Sequence, residues 1–84
     1  NGEFAEVSEK ALKSLKIKGG AVVTGVHEGG LLDKAGIRRG SVITRINNST
    51  ISSVNDLNRI TSAIESIEWI NPDGTRDRLL IMPK

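Results

Sequence analysis

The residues in this 84-residue chain that could do chemistry are one histidine, several serines and ten carboxylates. His27 stands beside Glu28 and two glycines, which is the context of a turn, and no Gly-x-Ser-x-Gly nucleophile motif is present. A nucleophilic serine needs a base and a third group that orients that base, and the chain offers a single imidazole. Because a lone histidine in a turn is most often a solvated residue, we expect no catalytic residue and no enzymatic activity in this chain.

The composition also argues against a metal site and a cofactor site. The chain has no cysteine, and one histidine without cysteine gives no recognisable set of metal ligands. The Gly-Gly pairs at 19–20 and 29–30 lack the spacing of a phosphate loop or a dinucleotide fingerprint, so we interpret both as turns. We therefore expect neither a metal ion nor a cofactor.

Charge and hydropathy argue against two classes of partner. Twelve basic and ten acidic residues are interspersed and give a net charge of +2, and the aromatic residues are Phe4 and Trp69. Nucleic-acid-binding domains usually concentrate basic charge on one face and add aromatic residues for stacking. The apolar runs are far too short to span a bilayer. We expect no nucleic-acid partner and no direct insertion into a membrane.

The most informative segment of the chain runs from Ala35 to Asn48. A short apolar helix at 31–35 meets Gly36, which can adopt the left-handed conformation that closes a helix. Gly40 then leads into a β-branched run at 42–46, and two asparagines stop this run because Asn tolerates positive φ. The segment predicts a helix stop, a tight turn, a strand and a second tight turn within fourteen residues.

Hydrophobic spacing predicts the elements on either side of this segment. Ser8 is the predicted N-cap of a first helix, and Ser53 with Asp56 resembles a capping pair at the start of the longest one. An Asn-Pro-Asp-Gly turn at 71–74 joins the last two strands as a hairpin. The pattern as a whole predicts strands at 4–7, 21–26, 42–46, 66–70 and 75–82, and helices from 8 or 9 to 16, at 31–35 and at 54–64.

One feature of the central strand leaves two interpretations open. Ile43 and Ile46 lie three residues apart, so their side chains would point to opposite faces of a straight strand. Either both faces of the sheet are covered or the strand bends between them.

The central segment resembles the AGI..GD.I..ING signature of PDZ domains in bacterial HtrA/Deg-type serine proteases. It departs at Ser41, where the family usually has Asp, and at Asn48, where it usually has Gly. The resemblance extends from Phe4 to Met82 and is greatest to the second, C-terminal PDZ domain of these proteases. The positions of close fit are Ala35, Gly36, Ile37, Gly40, Ile43, Ile46 and Asn47.

This resemblance implies a fold and its order of elements. The fold is PDZ-like and mainly β, a curved antiparallel sheet or partly open barrel with two main helices and one short helix. The order is the permuted bacterial one, in which the peptide-binding strand comes first. We expect residues 1–84 to form a single domain of a larger protease.

The resemblance also implies a peptide-binding groove between the first strand and the helix at 54–64. In HtrA/Deg-type PDZ domains, N–H groups of a loop before the strand receive the peptide's terminal carboxylate. The corresponding donors here are the backbone N–H groups of Gly2, Glu3 and Phe4. Glu3 brings a like charge close to this carboxylate, so an internal segment or an intramolecular partner is an alternative ligand.

Helical spacing divides the residues of the helix at 54–64 into two stripes. Leu57, Ile60 and Ile64 are expected to face the core. The groove would be lined by residues at i, i+4 and i+7 on the other stripe, which are Val54, Asn58 and Thr61.

The function implied by the resemblance is peptide and protein binding. The domain would present or sense substrate segments of unfolded proteins, or contact neighbouring domains or subunits, in a periplasmic or envelope serine endopeptidase whose triad lies outside these residues. One alternative is a PDZ domain of another envelope protein, such as a site-2-type metalloprotease, a C-terminal processing protease or a secretion component. The other is a purely structural oligomerisation module.

Overall fold

A computed structural model describes residues 2–60 and 63–81 of the chain. These residues form one antiparallel sheet of six strands, in the order β1-β2-β3-β5-β6, with β4 paired to β3. Three helices accompany the sheet in this part of the chain. The strands are β1 (Gly2–Glu6), β2 (Ala21–Val26), β3 (Val42–Ile46), β4 (Ser49–Thr50), β5 (Ser66–Ile70) and β6 (Arg76–Leu80), and the helices are α1 (Glu9–Leu15), α2 (Leu31–Ala35) and α3 (Val54–Asn58).

The core lies on one face of this sheet. Alternate residues of β2 and β5 point to this face together with Ile43 and Ile46 of β3, and α2, α3 and the segments beside them cover it. The loop residues Ile37 and Ile51 complete the core and are almost fully buried. The buried cluster consists of Ala21, Val23, Leu32, Ile37, Ile43, Ile46, Ile51, Ile67 and Trp69.

A bulge at Thr44 explains how two isoleucines three residues apart reach the same core. Ile43 is paired with Trp69 and Arg45 with Glu68, so the register against β5 shifts by one residue at Thr44. A bulge of this kind bends the strand and re-aims its side chains. Ile43 and Ile46, 1% and 5% exposed, belong to the same buried cluster, so the bend at Thr44 brings both side chains to one face.

The helix–turn–strand segment forms as its sequence predicts. Helix α2 ends at Gly36, whose φ of 77° is left-handed, and the N–H of Ile37 donates to the carbonyl of Leu32 at 2.9 Å. Asn47 and Asn48 follow β3 with φ values of 52° and 66°. Two successive residues of positive φ make a tight turn that matches the twist of the strands it joins, here β3 and β4.

Helix α1 also begins where its sequence indicates. The Ser8 hydroxyl accepts a hydrogen bond from the N–H of Ala11 at 3.2 Å, and Glu9 lies in the first turn. The helix closes at Lys16, which adopts the left-handed conformation with a φ of 58°.

Helix α3 is shorter than its apolar spacing predicts: it ends at Asn58 and not at Ile64. The Asn47 side chain bonds the segment that leads from α3 to β5. Its Nδ2 donates to the Ala63 carbonyl at 2.9 Å, and its Oδ1 accepts the N–H groups of Glu65 at 2.6 Å and Ser66 at 3.2 Å. Three tertiary hydrogen bonds therefore hold residues 63–66 out of the helix and lead them into β5.

The outer strands differ slightly from their predicted bounds. Strand β1 covers 2–6 instead of 4–7, and β6 covers 76–80 instead of 75–82. Met82 lies outside the described residues. The predicted hairpin turn at 71–74 is present, and the N–H of Gly74 donates to the Asn71 carbonyl at 2.9 Å.

Candidate peptide-binding groove

Strand β1 lies at an edge of the sheet, beside helix α3. In the described part of the chain β1 pairs with β2 alone, so its other edge presents N–H and C=O groups without a strand partner. Helix α3 packs next to this edge. An edge strand flanked by a helix can accept an extended peptide as one more strand, with main-chain hydrogen bonds for affinity and side-chain contacts for specificity.

Gly2 and Phe4 occupy the side of β1 that faces the core. Phe4 is partly buried against the core cluster. A Cβ on Gly2 would lie 2.6 Å from Leu32 Cδ1 and 2.8 Å from the Gly25 carbonyl oxygen. No larger residue fits there without displacing the start of β1, so glycine sets how closely β1 approaches β2 and α2.

The Glu3 side chain projects from the opposite side of β1. A Cβ on Gly25 would lie 2.7 Å from Glu3 Oε2, so this carboxylate extends across its partner strand β2. Glu3 shares a cavity of about 550 Å³ with Arg38 and Arg39. Gly2, Glu3 and Phe4 lie within β1 and pair with β2, so the carboxylate donors predicted in a loop before the strand are strand residues. Because successive N–H groups of a strand point to opposite edges, these three do not all face the outer edge of β1.

The predicted groove residues of α3 differ in their surroundings. Val54 is partly buried and packs against the core cluster, whereas Asn58 is exposed on the surface. Thr61 lies outside the described residues. Leu57 and Ile60, which were expected to face inward, are partly buried against the core.

The start of α3 is bonded directly to the end of β1. Both carboxylate oxygens of Glu6 accept the backbone N–H of Val54, at 3.3 and 3.2 Å. The predicted capping pair of Ser53 and Asp56 does not form, because Asp56 accepts the N–H of Ser52, one residue earlier, at 2.8 Å. The Ser53 side chain makes no capping hydrogen bond, and the first N–H of α3, that of Val54, is bonded to the Glu6 carboxylate from β1.

Sequence reasoning did not identify Glu6 as a residue of the groove. Its partner Val54 is 48 positions away in the chain. Nothing in the local pattern of a Glu at the end of a short strand indicates such a contact.

Groups elsewhere in the described residues show no sign of catalytic or metal chemistry. His27 is exposed, and the described residues contain no group of three His, Cys, Asp or Glu side chains able to hold a metal ion.

The pKa of Asp73 lies below its usual value because the Thr75 hydroxyl and N–H both donate to its carboxylate, at 2.6 and 2.9 Å. Asp73 is in the hairpin turn before β6, where these bonds fasten the turn. None of the helices described here is long and apolar enough to cross a membrane.

Comparison with known families identifies the fold. A family model of the PDZ domain matches residues 22–70, which is more than half of the chain and runs from β2 through α3 to β5. Searches of curated proteins and of solved structures found no significant match. The open antiparallel sheet with three helices in its described residues is consistent with the PDZ-like fold that the sequence predicts. PDZ domains are non-catalytic interaction modules that bind peptide segments, usually C-termini. The chain therefore belongs to the PDZ domain family.

Proposed function

We propose that the groove between β1 and α3 binds an extended peptide as an added strand. The observation that carries this proposal is the outer edge of β1 beside α3, with which no described strand pairs. The peptide runs antiparallel to β1, and its terminal carboxylate lies at the start of this strand, at those backbone N–H groups among Gly2, Glu3 and Phe4 that face the outer edge. Val54, and beyond it Asn58, contact its side chains, while Thr61, the third predicted groove residue, lies outside the described residues.

The position of the Glu3 carboxylate supports capture of a peptide C-terminus. A negative charge pointing into the groove would repel a bound carboxylate. This carboxylate instead extends over Gly25, on the opposite side of β1 from Phe4. Affinity is expected to be weak, with a Kd on the order of tens of micromolar or about −6 kcal/mol, because a flexible peptide loses entropy when it is ordered.

An NMR titration of the 84-residue chain tests this proposal. Peptides with an apolar C-terminal residue should shift the amide signals of residues 2–7 and 54–58. Val54→Gln should weaken binding about tenfold by replacing an apolar contact with a polar group. Asn55→Gln, at an exposed position of the same helix, is the matched control and should leave affinity unchanged.

The outcome of this titration also separates the groove from a structural role. If no amide signal of β1 or α3 shifts and the chain sediments as a stable oligomer, the proposed groove is refuted. This result would favour the oligomerisation module.

The parent protein in this proposal is an HtrA/Deg-like serine endopeptidase of the periplasm or cell envelope. Support comes from the PDZ match and from the resemblance of the segment at 35–48 to that family's signature. The domain would then present substrate segments to a catalytic triad elsewhere in the protein, or sense them. It would also contact neighbouring domains or subunits, and residues 1–84 would be one domain of this protease.

The gene upstream of Asn1 tests this assignment. A chymotrypsin-like domain with a Gly-Asn-Ser-Gly-Gly nucleophile segment is the expected result. A multi-helix membrane segment with His-Glu-x-x-His would instead identify a site-2-type metalloprotease and overturn the assignment.

A further inference from the structure

We infer that Glu6 gives the groove a preference for peptides that carry Lys or Arg at the residue paired opposite it. This inference rests on the proposed function, since it concerns the same groove. It adds a charge preference that neither the PDZ fold nor the sequence pattern specifies.

The position of the Glu6 carboxylate places a negative charge inside the groove. Glu6 is the last residue of β1, and both of its carboxylate oxygens point to the N–H of Val54, across the gap where the peptide would lie. The side chain is nevertheless exposed. An ionised carboxylate has about four acceptor positions, so one N–H partner leaves capacity for an ammonium or guanidinium group.

The surroundings of Glu6 leave this charge available. Among residues 2–60 and 63–81, the salt bridge within 4.0 Å joins Arg45 to Glu68, and Glu6 has no such partner there. Val54, beside it, is apolar. A basic peptide side chain would therefore meet an acidic group that no described cation neutralises.

Strand pairing identifies which peptide residue meets Glu6. In an antiparallel ladder, directly opposite residues project to the same face, with Cβ atoms about 4.5–5.5 Å apart. If the carboxylate is bound by N–H groups up to that of Phe4, the last peptide residue pairs with Phe4. Two residues further along β1 then correspond to two residues earlier in the peptide, so the third residue from the C-terminus pairs with Glu6.

Glu3 provides a matched control for this inference. It lies on the same strand and carries the same charge, but its carboxylate extends over β2 on the opposite side of β1 from Phe4. Glu3→Gln and Glu6→Gln therefore change the net charge equally, while only the second removes charge from the groove. Gln at position 6 keeps an oxygen that can accept the Val54 N–H, so the start of α3 remains capped.

The experiment measures Kd for three peptides that differ only at the third residue from the end, which is Lys, Gln or Glu. With the unmodified chain, the Lys peptide should bind about two- to fivefold more tightly than the Gln peptide, as expected for an exposed ion pair. The Glu peptide should bind more weakly than the Gln peptide. The advantage of Lys should disappear in Glu6→Gln, persist in Glu3→Gln, and shrink in high salt.

Three outcomes decide the matter. Binding of all three peptides with equal affinity would overturn the role of Glu6 and leave the groove intact. A Lys advantage that survives Glu6→Gln, in a variant whose amide spectrum shows a native fold, would also overturn it. Binding of none of the peptides would overturn the inference together with the proposed function.

Discussion

Asn47 and Glu65 are joined by a 2.6 Å hydrogen bond in which the Asn47 side-chain oxygen accepts the backbone N–H of Glu65. The same side chain bonds the backbone of Ala63 and Ser66, so one amide ties the turn after β3 to the chain that enters β5. Asn47 also adopts positive φ. A single residue thus closes one hairpin and directs the chain from α3 to the next strand.

Replacing Asn47 by Gly should destabilise the domain while Asn48→Gly should not. Both positions have positive φ, which Gly adopts without strain. Asn47→Gly removes three hydrogen bonds and should lower the free energy of unfolding by about 1–3 kcal/mol. Asn48, exposed and without a side-chain hydrogen bond to the described residues, is the control. Equal urea midpoints for the two variants would contradict the role of Asn47.

This contact also shows which parts of the fold could be predicted from sequence. The segment from α2 to the Asn47-Asn48 turn depends on local conformational preferences, and its bounds are as predicted. The end of α3 depends on bonds from Asn47, which comes well before it in the chain. Apolar spacing at Ile60 and Ile64 could not reveal those bonds, because both residues pack against the core whether or not the chain is helical.

The candidate groove shows the same division. Its two walls, β1 and α3, could be predicted from the resemblance, and both elements are present. The Glu6–Val54 bond and the course of the Glu3 side chain could not, because each depends on how β1 lies against other elements. For Ile43 and Ile46 the sequence left open a bent strand or a sheet covered on both faces. The extra residue Thr44, which has no partner in β5, bends the strand and brings both isoleucines into one core.

Truncation of the buried isoleucines should be severe for a domain of this size. Ile43→Ala or Ile46→Ala leaves a cavity in the core and should cost about 2–5 kcal/mol, a large part of the stability of a small domain. Leu80→Ala is the control, because Leu80 is 55% exposed and its truncation leaves no buried void. Thermal unfolding measures the Tm of the isoleucine variants and of the Leu80→Ala control. An unchanged Tm for Ile46→Ala would contradict the placement of β3 against the core.

Substitution of Gly36 should act mainly through backbone strain. Its φ is 77°, and a Cβ built there has no atom within 4 Å among the described residues. Gly36→Ala should therefore cost about 1–2 kcal/mol, Gly36→Val more, and Gly36→Asn less, because Asn tolerates the left-handed region. The order of urea midpoints tests this. A Val variant as stable as the Asn variant would show that strain at this helix stop is not what matters.

The final prediction concerns recognition of the peptide's carboxylate at the start of β1. A free C-terminus should bind more tightly than its amide, because backbone N–H donors make stronger hydrogen bonds to a charged acceptor. Gly2→Ala should reduce the difference in affinity between the free acid and the amide. Its Cβ would come within 2.8 Å of the Gly25 carbonyl oxygen, so the start of β1 must move and the donors with it. The contact at Val54, at the other end of the groove, should persist.

Glu3→Gln is the control for this comparison. Its carboxylate extends over β2, so its neutralisation should change the ratio of acid to amide affinity by less than about twofold. Calorimetric titration of each peptide pair against the three proteins gives the ratios. A ratio near one in the unmodified chain would show that the start of β1 does not bind carboxylates. A large increase in Glu3→Gln would show that the Glu3 charge acts inside the groove, despite its course across Gly25.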